Sequence, residues 1–234
     1  MGYKFSGSYG EYRPNRVIQR LGDFILANPG FLQIIKQICE VVDPNCKDEG
    51  ANRELVASVL FQAHEVLFVD RNEEFAELLG DFVAQDVRDS GNTRGKLFEY
   101  LIYKKGPFSF KSTRGMEVIR CAKILRNDGT PLGGASNFDF CFLIRFQSKG
   151  RITDLEMLEC KLDLATFLGE TSRCVKKLEY MKIISQCGIC SCYSVGFATL
   201  SHRTADFRAR LNTWGYDKLK VFGYEDVSML ITIP

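Results

Sequence analysis

The chain has 234 residues, of which 45% are hydrophobic and 26% are charged, and its formal net charge is +2. These values are typical of a globular protein with a buried core. They exclude a chain rich in membrane-spanning segments, because no apolar run approaches the roughly 20 residues that such a helix needs. Nine cysteines without a secretory signal predict free thiols and an intracellular protein, either cytoplasmic or nuclear.

Apolar periodicity predicts an all-helical N-terminal subdomain over residues 1–92. The first helix follows Pro14 and ends at Asn28-Pro29-Gly30, and the second runs from Phe31 to Val42. Two more helices are predicted around residues 55–67 and 75–83. We therefore expect a domain boundary near residue 92, where the charge pattern also changes.

From residue 93 the predicted order is helix, three strands, helix, strand, helix and strand. The helices lie at 93–105, 164–185 and 204–214, and the strands at 116–126, 138–146, 153–162, 190–200 and 219–222. The helix at 164–185 contains Gly169, which predicts an interruption. This order predicts an α/β core over residues 93–234, with a mixed sheet and helices on its faces.

Positive charge is concentrated in one stretch of the sequence. Residues 93–130 carry nine Lys/Arg and three Asp/Glu, whereas residues 1–92 carry nine and fifteen. Such a stretch favours binding of a polyanion, and a solvated basic surface is the alternative interpretation. The candidate nucleic-acid-binding residues are Arg94, Lys96, Lys111, Arg114, Lys176 and Lys177.

The clearest strand, 138–146, has aromatic or aliphatic side chains at every second position. Side chains alternate between the two faces of a strand, so these residues predict one apolar face. Asp139 then lies on the opposite face.

Two acidic residues, Asp139 and Glu159, are twenty positions apart, and Lys149 lies midway in a predicted turn. If the flanking strands pair antiparallel about that turn, the two acids lie directly opposite each other. Cβ atoms of opposed residues are roughly 4.5–5.5 Å apart, close enough for both carboxylates to bind one cation. Lys161 shares their face, because it is two positions from Glu159. This pattern indicates a metal-dependent hydrolytic centre.

Glu99 adds a third acid, beside the apolar stripe of helix 93–105. The series of Glu99 on a helix, Asp139 on a strand and Glu159-Cys160-Lys161 on the next strand resembles the PD-(D/E)xK nuclease superfamily. That superfamily includes restriction endonucleases and archaeal-type Holliday junction resolvases. Phe138 replaces the proline of the family name, as in many members.

The resemblance implies a restriction-endonuclease-like fold and a metal-dependent endonuclease that acts on DNA in preference to RNA. Asp139, Glu159 and the Cys160 carbonyl would bind one or two Mg²⁺ or Mn²⁺ ions, and Glu99 would complete the metal shell directly or through water. Lys161 would orient or help to deprotonate the attacking water and would stabilise charge on the phosphate. The expected partner is nucleic acid, bound by a homodimer or a larger nucleoprotein assembly.

Three alternatives stay open at this stage. The same fold can bind nucleic acid without turnover. Cap-snatching endonucleases of segmented negative-strand RNA viruses share the core and use a helix histidine, which would give His64 a metal role. A zinc or iron–sulfur site is an alternative to buried free thiols for four cysteines. These are Cys174, Cys187, Cys190 and Cys192.

Overall fold

The computed structural model describes residues 3–41, 54–59, 61, 72–89, 92–111, 115–133, 136–146, 151–169 and 171–233. The chain divides into two compact units. The sheet unit comprises Met1–Glu11 and Lys105–Leu230, and the helical unit comprises Tyr12–Lys104 and Ile231–Pro234. This division differs from the predicted boundary near residue 92, because residues 93–104 belong to the helical unit and Met1–Glu11 belongs to the sheet unit.

The helices of the first hundred residues lie close to their predicted positions. They are α1 (Arg16–Ala27), α2 (Leu32–Val41), α3 (Asn72–Arg88) and α4 (Asn92–Lys105), with a 3₁₀ turn at Pro29–Phe31. Residues 54–59 are also helical, and the remainder of the predicted third helix lies outside the described residues. α1 begins where the Asn15 side chain accepts a hydrogen bond from the Ile18 N–H at 2.9 Å.

Aromatic side chains pack against one another in the core of the helical unit. The Phe31 ring lies 4.4 Å from that of Phe75 and 5.1 Å from that of Phe24, measured between centroids. Such close ring pairs add to the stability that burial provides. The apolar periodicity that predicts α1 and α3 therefore corresponds to a packed interior.

The sheet unit contains a six-stranded mixed sheet with strand order β1-β2-β3-β4-β5-β6. The strands are β1 (Lys4–Ser8), β2 (Met116–Leu125), β3 (Phe138–Phe146), β4 (Arg151–Cys160), β5 (Cys192–Ala198) and β6 (Lys220–Phe222). The helices after β4 are α5 (Leu164–Gly169), α6 (Thr171–Ser185), α7 (Thr204–Thr213) and α8 (Tyr224–Thr232). Strands β1 to β4 pair antiparallel, and β4, β5 and β6 pair parallel. The predicted mixed α/β class is confirmed.

The prediction of an all-helical N-terminal region is wrong, because residues 4–8 form strand β1. This segment, Lys-Phe-Ser-Gly-Ser, is short and mostly polar, so it carries no strand periodicity of its own. Its structure comes from pairing with β2, where Lys4 lies opposite Leu125 and Phe5 opposite Ile124. Local sequence patterns do not predict a strand that forms only by pairing with a distant strand.

Strand β4 lies between β3 and β5, and its C-terminal end is buried on both faces. Its last six residues are all buried. α5 and α6 make the crossover that the parallel pair β4–β5 requires. On the face shared with Asp139, Cys141 and Met157 join one core cluster with Leu178 and Met181 of α6. The end of β4 therefore meets the side chains of α6.

Candidate functional site

The register of β3 and β4 brings the two predicted acids together. Phe140 pairs with Leu158, so one further residue puts Asp139 opposite Glu159, as their spacing predicts. The Cys160 N–H donates a hydrogen bond to Asp139 Oδ2 at 2.7 Å. The predicted turn at Lys149 lies outside the described residues.

Lys161 lies between the two acids. Its Nζ is 2.7 Å from Glu159 Oε1 and 4.0 Å from Asp139 Oδ2. The same ammonium group donates to the Cys160 carbonyl at 3.2 Å. The Lys161 N–H donates to the Ala198 carbonyl at 2.9 Å, which holds this residue against the end of β5. The lysine is therefore positioned by the backbone as well as by the carboxylates.

A second lysine, Lys177 of α6, completes the cluster. Its Nζ is 2.5 Å from Glu159 Oε2, and it donates a hydrogen bond to the Asn137 carbonyl. The sequence predicts Lys177 only as a phosphate contact. A better signal was present: Lys177 lies three residues after Cys174 and four before Met181, both buried. Residues at this spacing share one helix face, so Lys177 points toward the sheet.

Burial and neighbouring charges change the acid–base behaviour of the cluster. Burial raises the pKa of Asp139 to about 6, and the Glu159 charge acts in the same direction, against Lys161, the Cys160 N–H and Lys177. Burial by itself would lower the pKa of Lys161, but the charges of Glu159 and Asp139 outweigh it and raise that pKa. Lys161 is therefore held as an ammonium ion, while Asp139 changes protonation in mildly acidic solution.

The oxygen atoms of the cluster fit a hard divalent cation. Asp139, Glu159 and the Cys160 carbonyl supply oxygen donors, which Mg²⁺ and Mn²⁺ prefer. Glu159 Oε2 is buried and accepts no hydrogen bond of acceptable geometry from the described residues, although the Lys177 ammonium group is close. Those residues contain no group of three or more His, Cys, Asp or Glu side chains suited to a metal. Two carboxylates and one carbonyl are thus the donor set.

Glu99, the third predicted acid, lies on α4 in the helical unit and is partly exposed. The Tyr12 hydroxyl donates to its Oε2 at 3.5 Å. Its predicted role in the metal shell stays a prediction.

Besides Lys177, four of the predicted nucleic-acid-binding residues lie in the described part of the chain, and they fall into two groups. Arg94 has a structural role in the helical unit: it donates to Asp86 at 2.7 Å and to the Cys39 carbonyl at 2.9 Å, and Asp86 is only 2% exposed. Lys96, Lys111 and Lys176 are exposed and available to phosphate. Arg114 lies outside the described residues.

The four cysteines of the alternative metal site make ordinary thiol contacts. Cys174 is buried in the core of the sheet unit. Cys187 Sγ donates to the Ile183 carbonyl at 3.0 Å, and Cys190 Sγ donates to the Cys192 carbonyl at 3.1 Å. All four are free cysteines. His64, the candidate ligand of the cap-snatching alternative, lies outside the described residues.

Comparison with models of known protein families gives no match, and comparison with curated proteins gives none either. In the part of the chain that the structure describes, no helix is both long and apolar enough to cross a membrane. A functional proposal therefore depends on the geometry around Asp139 and Glu159.

Proposed function

We propose that the protein is a divalent-metal-dependent endonuclease of PD-(D/E)xK type, acting on DNA in preference to RNA. The observation that supports this most is the meeting of Asp139, Glu159 and Lys161 at the ends of two paired strands. Lys161 Nζ lies 2.7 Å from one carboxylate and 4.0 Å from the other. Three antiparallel strands followed by a helical crossover to a parallel strand also suit the restriction-endonuclease-like core that the resemblance implies.

Each residue of the cluster has a part in the proposed hydrolysis. Asp139, Glu159 and the Cys160 carbonyl would hold Mg²⁺ or Mn²⁺. When bound, such an ion lowers the pKa of a water molecule and neutralises charge on the phosphate. Lys161, whose Nζ lies 2.7 Å from Glu159 Oε1 and 4.0 Å from Asp139 Oδ2, would orient the attacking water or help to deprotonate it, and would stabilise the developing phosphate charge.

The direct test is cleavage of labelled single- and double-stranded DNA and RNA with Mg²⁺, Mn²⁺ or a chelator. We expect metal-dependent products from the wild type, with at least about 100-fold slower cleavage by Asp139→Asn and Lys161→Met. Glu117→Gln is the matched control, because Glu117 is a partly exposed strand carboxylate that pairs with Arg145 at 3.0 Å. Equal rates for all four proteins would contradict the proposal.

Binding of nucleic acid without turnover is the second candidate. The observation that favours it is that both Glu159 oxygens lie within 2.7 Å of an ammonium group, so lysines already neutralise the carboxylate. This function predicts retention of oligonucleotides with no cleavage under every metal ion tested, and no heat of Mn²⁺ binding.

A further inference from the structure

Lys177 is unusual because its ammonium group lies inside the sheet unit. The side chain is only 11% exposed. A buried ammonium ion is costly unless it is paired and hydrogen-bonded. Here it pairs with Glu159 of β4 and donates to the carbonyl of Asn137, two residues before Asp139. Lys177 therefore joins the beginning of β3 to the end of β4, within the site itself.

The charges of the cluster balance without any metal. Asp139 and Glu159 contribute two negative charges when ionised, and Lys161 and Lys177 contribute two positive charges. A divalent ion beside Glu159 would give the cluster a net charge of +2. Like charges a few ångströms apart repel strongly in a partly buried site. Phosphodiester groups, each with one negative charge, would restore the balance.

We propose that Lys177 is a positioning residue that competes with the divalent metal for Glu159, so that metal binds tightly only when nucleic acid is bound. This inference rests on the proposed function. A backbone phosphate would draw the Lys177 ammonium group away from Glu159 Oε2 and free that oxygen for the metal. The Phe138 ring, whose centroid is 5.2 Å from Lys177 Nζ, gives the ammonium group a contact besides Glu159.

Competition of this kind makes metal and nucleic acid bind with positive coupling, and the coupling is reciprocal. A phosphate that occupies Lys177 raises the affinity for metal, and the metal raises the affinity for phosphate by the same factor. As a consequence, the protein without substrate would bind little of the catalytic ion.

Calorimetric titration with Mn²⁺ tests the inference, with and without a phosphorothioate oligonucleotide that keeps the negative charge and resists hydrolysis. We expect the oligonucleotide to tighten Mn²⁺ binding to the wild type at least about tenfold. In Lys177→Met, Mn²⁺ should bind at least about tenfold more tightly without oligonucleotide, and the oligonucleotide effect should fall below about threefold. Lys177→Arg should resemble the wild type, and Lys182→Met, which removes a partly exposed charge on the same helix, should leave Mn²⁺ affinity unchanged.

Unchanged or weaker Mn²⁺ binding in Lys177→Met would overturn the inference, as would an undiminished oligonucleotide effect. Lys177→Gln keeps a donor for the Asn137 carbonyl and repeats the test if the methionine variant does not fold. Wild-type cleavage is measured on the same preparation. If the wild type binds Mn²⁺ and cleaves while Lys177→Met and Lys177→Gln bind Mn²⁺ as it does, only this inference fails. If no variant binds Mn²⁺ and the wild type does not cleave, the proposed function fails with it.

Discussion

Strand β4 carries two buried glutamates, Glu156 and Glu159, that are held in opposite ways. Glu156 is 0% exposed and Glu159 is 6% exposed. The Glu156 carboxylate accepts hydrogen bonds from the backbone N–H groups of Phe108 and Ser109, both at 2.8 Å. The Glu159 carboxylate is paired with two lysine side chains. Backbone amides cannot leave without unfolding a segment, whereas lysine side chains can move to another partner.

This difference shows that burial of an acid does not by itself indicate a functional site. Burial raises the pKa of Glu156, against the hydrogen bonds from Ser109 and Phe108, yet this carboxylate serves to hold the backbone at Phe108 and Ser109. Glu159 lies three residues away and therefore on the other face of the strand. Glu159 differs from Glu156 in two ways: its lysine partners can be exchanged, and Asp139 lies opposite it. These two features distinguish the candidate site from the structural carboxylate of Glu156.

The largest expected effect that separates the two glutamates is on metal affinity. Asp139→Asn and Glu159→Gln each replace a negatively charged carboxylate ligand of the proposed metal with a neutral amide, so we expect Mn²⁺ binding at least about 100-fold weaker, about 2.7 kcal/mol. Glu156→Gln should bind Mn²⁺ within about twofold of the wild type. Calorimetry in the presence of the phosphorothioate oligonucleotide measures all three. An equal loss of Mn²⁺ affinity in Glu156→Gln would show that the two glutamates do not differ in metal binding.

The next effect is on the free energy of unfolding, to which Glu156 should contribute although it is not a ligand of the proposed metal. In Glu156→Gln the side-chain amide places an NH₂ group against one of two backbone donors, which leaves a buried group unsatisfied. We expect the free energy of unfolding to fall by about 1–3 kcal/mol. Urea denaturation followed by circular dichroism measures this change. A variant as stable as the wild type would show that the two amide hydrogen bonds are not an anchor.

A smaller effect is the pH dependence of stability without metal. The pKa of Asp139 is about 6 in the folded chain, above its ordinary value of 3.8, so the folded state holds the proton more tightly. The resulting stabilisation is fully present below about pH 4 and is lost as the pH rises through about 6. Because the side chain is 27% exposed, we expect about 1–2 kcal/mol.

Urea denaturation in chelator at several pH values between 4 and 7 checks this expectation. Asp139→Asn cannot titrate, so its stability should lack the decline between pH 4 and 6 that the wild type shows, with other groups contributing equally to both proteins. Parallel curves for the two proteins would contradict the raised pKa.

The smallest effect concerns exposed lysines outside the cluster. Lys111→Ala and Lys176→Ala should each weaken oligonucleotide binding about threefold and reduce its salt dependence by about one phosphate contact. Fluorescence anisotropy at several salt concentrations measures both quantities. Arg94→Ala should instead lower stability, because its guanidinium group pairs with buried Asp86. An unchanged salt dependence for both lysine variants would show that they do not contact phosphate.

Much of the sheet unit was predictable because its signals are local. The alternating apolar residues of 138–146 predict β3, and the spacing of Asp139 and Glu159 predicts their pairing. β1 was not predictable, because pairing with β2 creates it. The place of Lys177 in the site is harder to predict, because lysines are rarely buried, and only its spacing from Cys174 and Met181 on one helix face indicates that it points toward the sheet.

The most direct test of the central claim is the rate of metal-dependent cleavage under single-turnover conditions for the wild type, Glu159→Gln and Glu156→Gln, below the unfolding temperature of each. The proposed site predicts that Glu159→Gln loses at least about 100-fold in rate while Glu156→Gln stays within about threefold of the wild type. A wild type that cleaves no nucleic acid with Mg²⁺ or Mn²⁺, or a Glu159→Gln variant as active as the wild type, would contradict it.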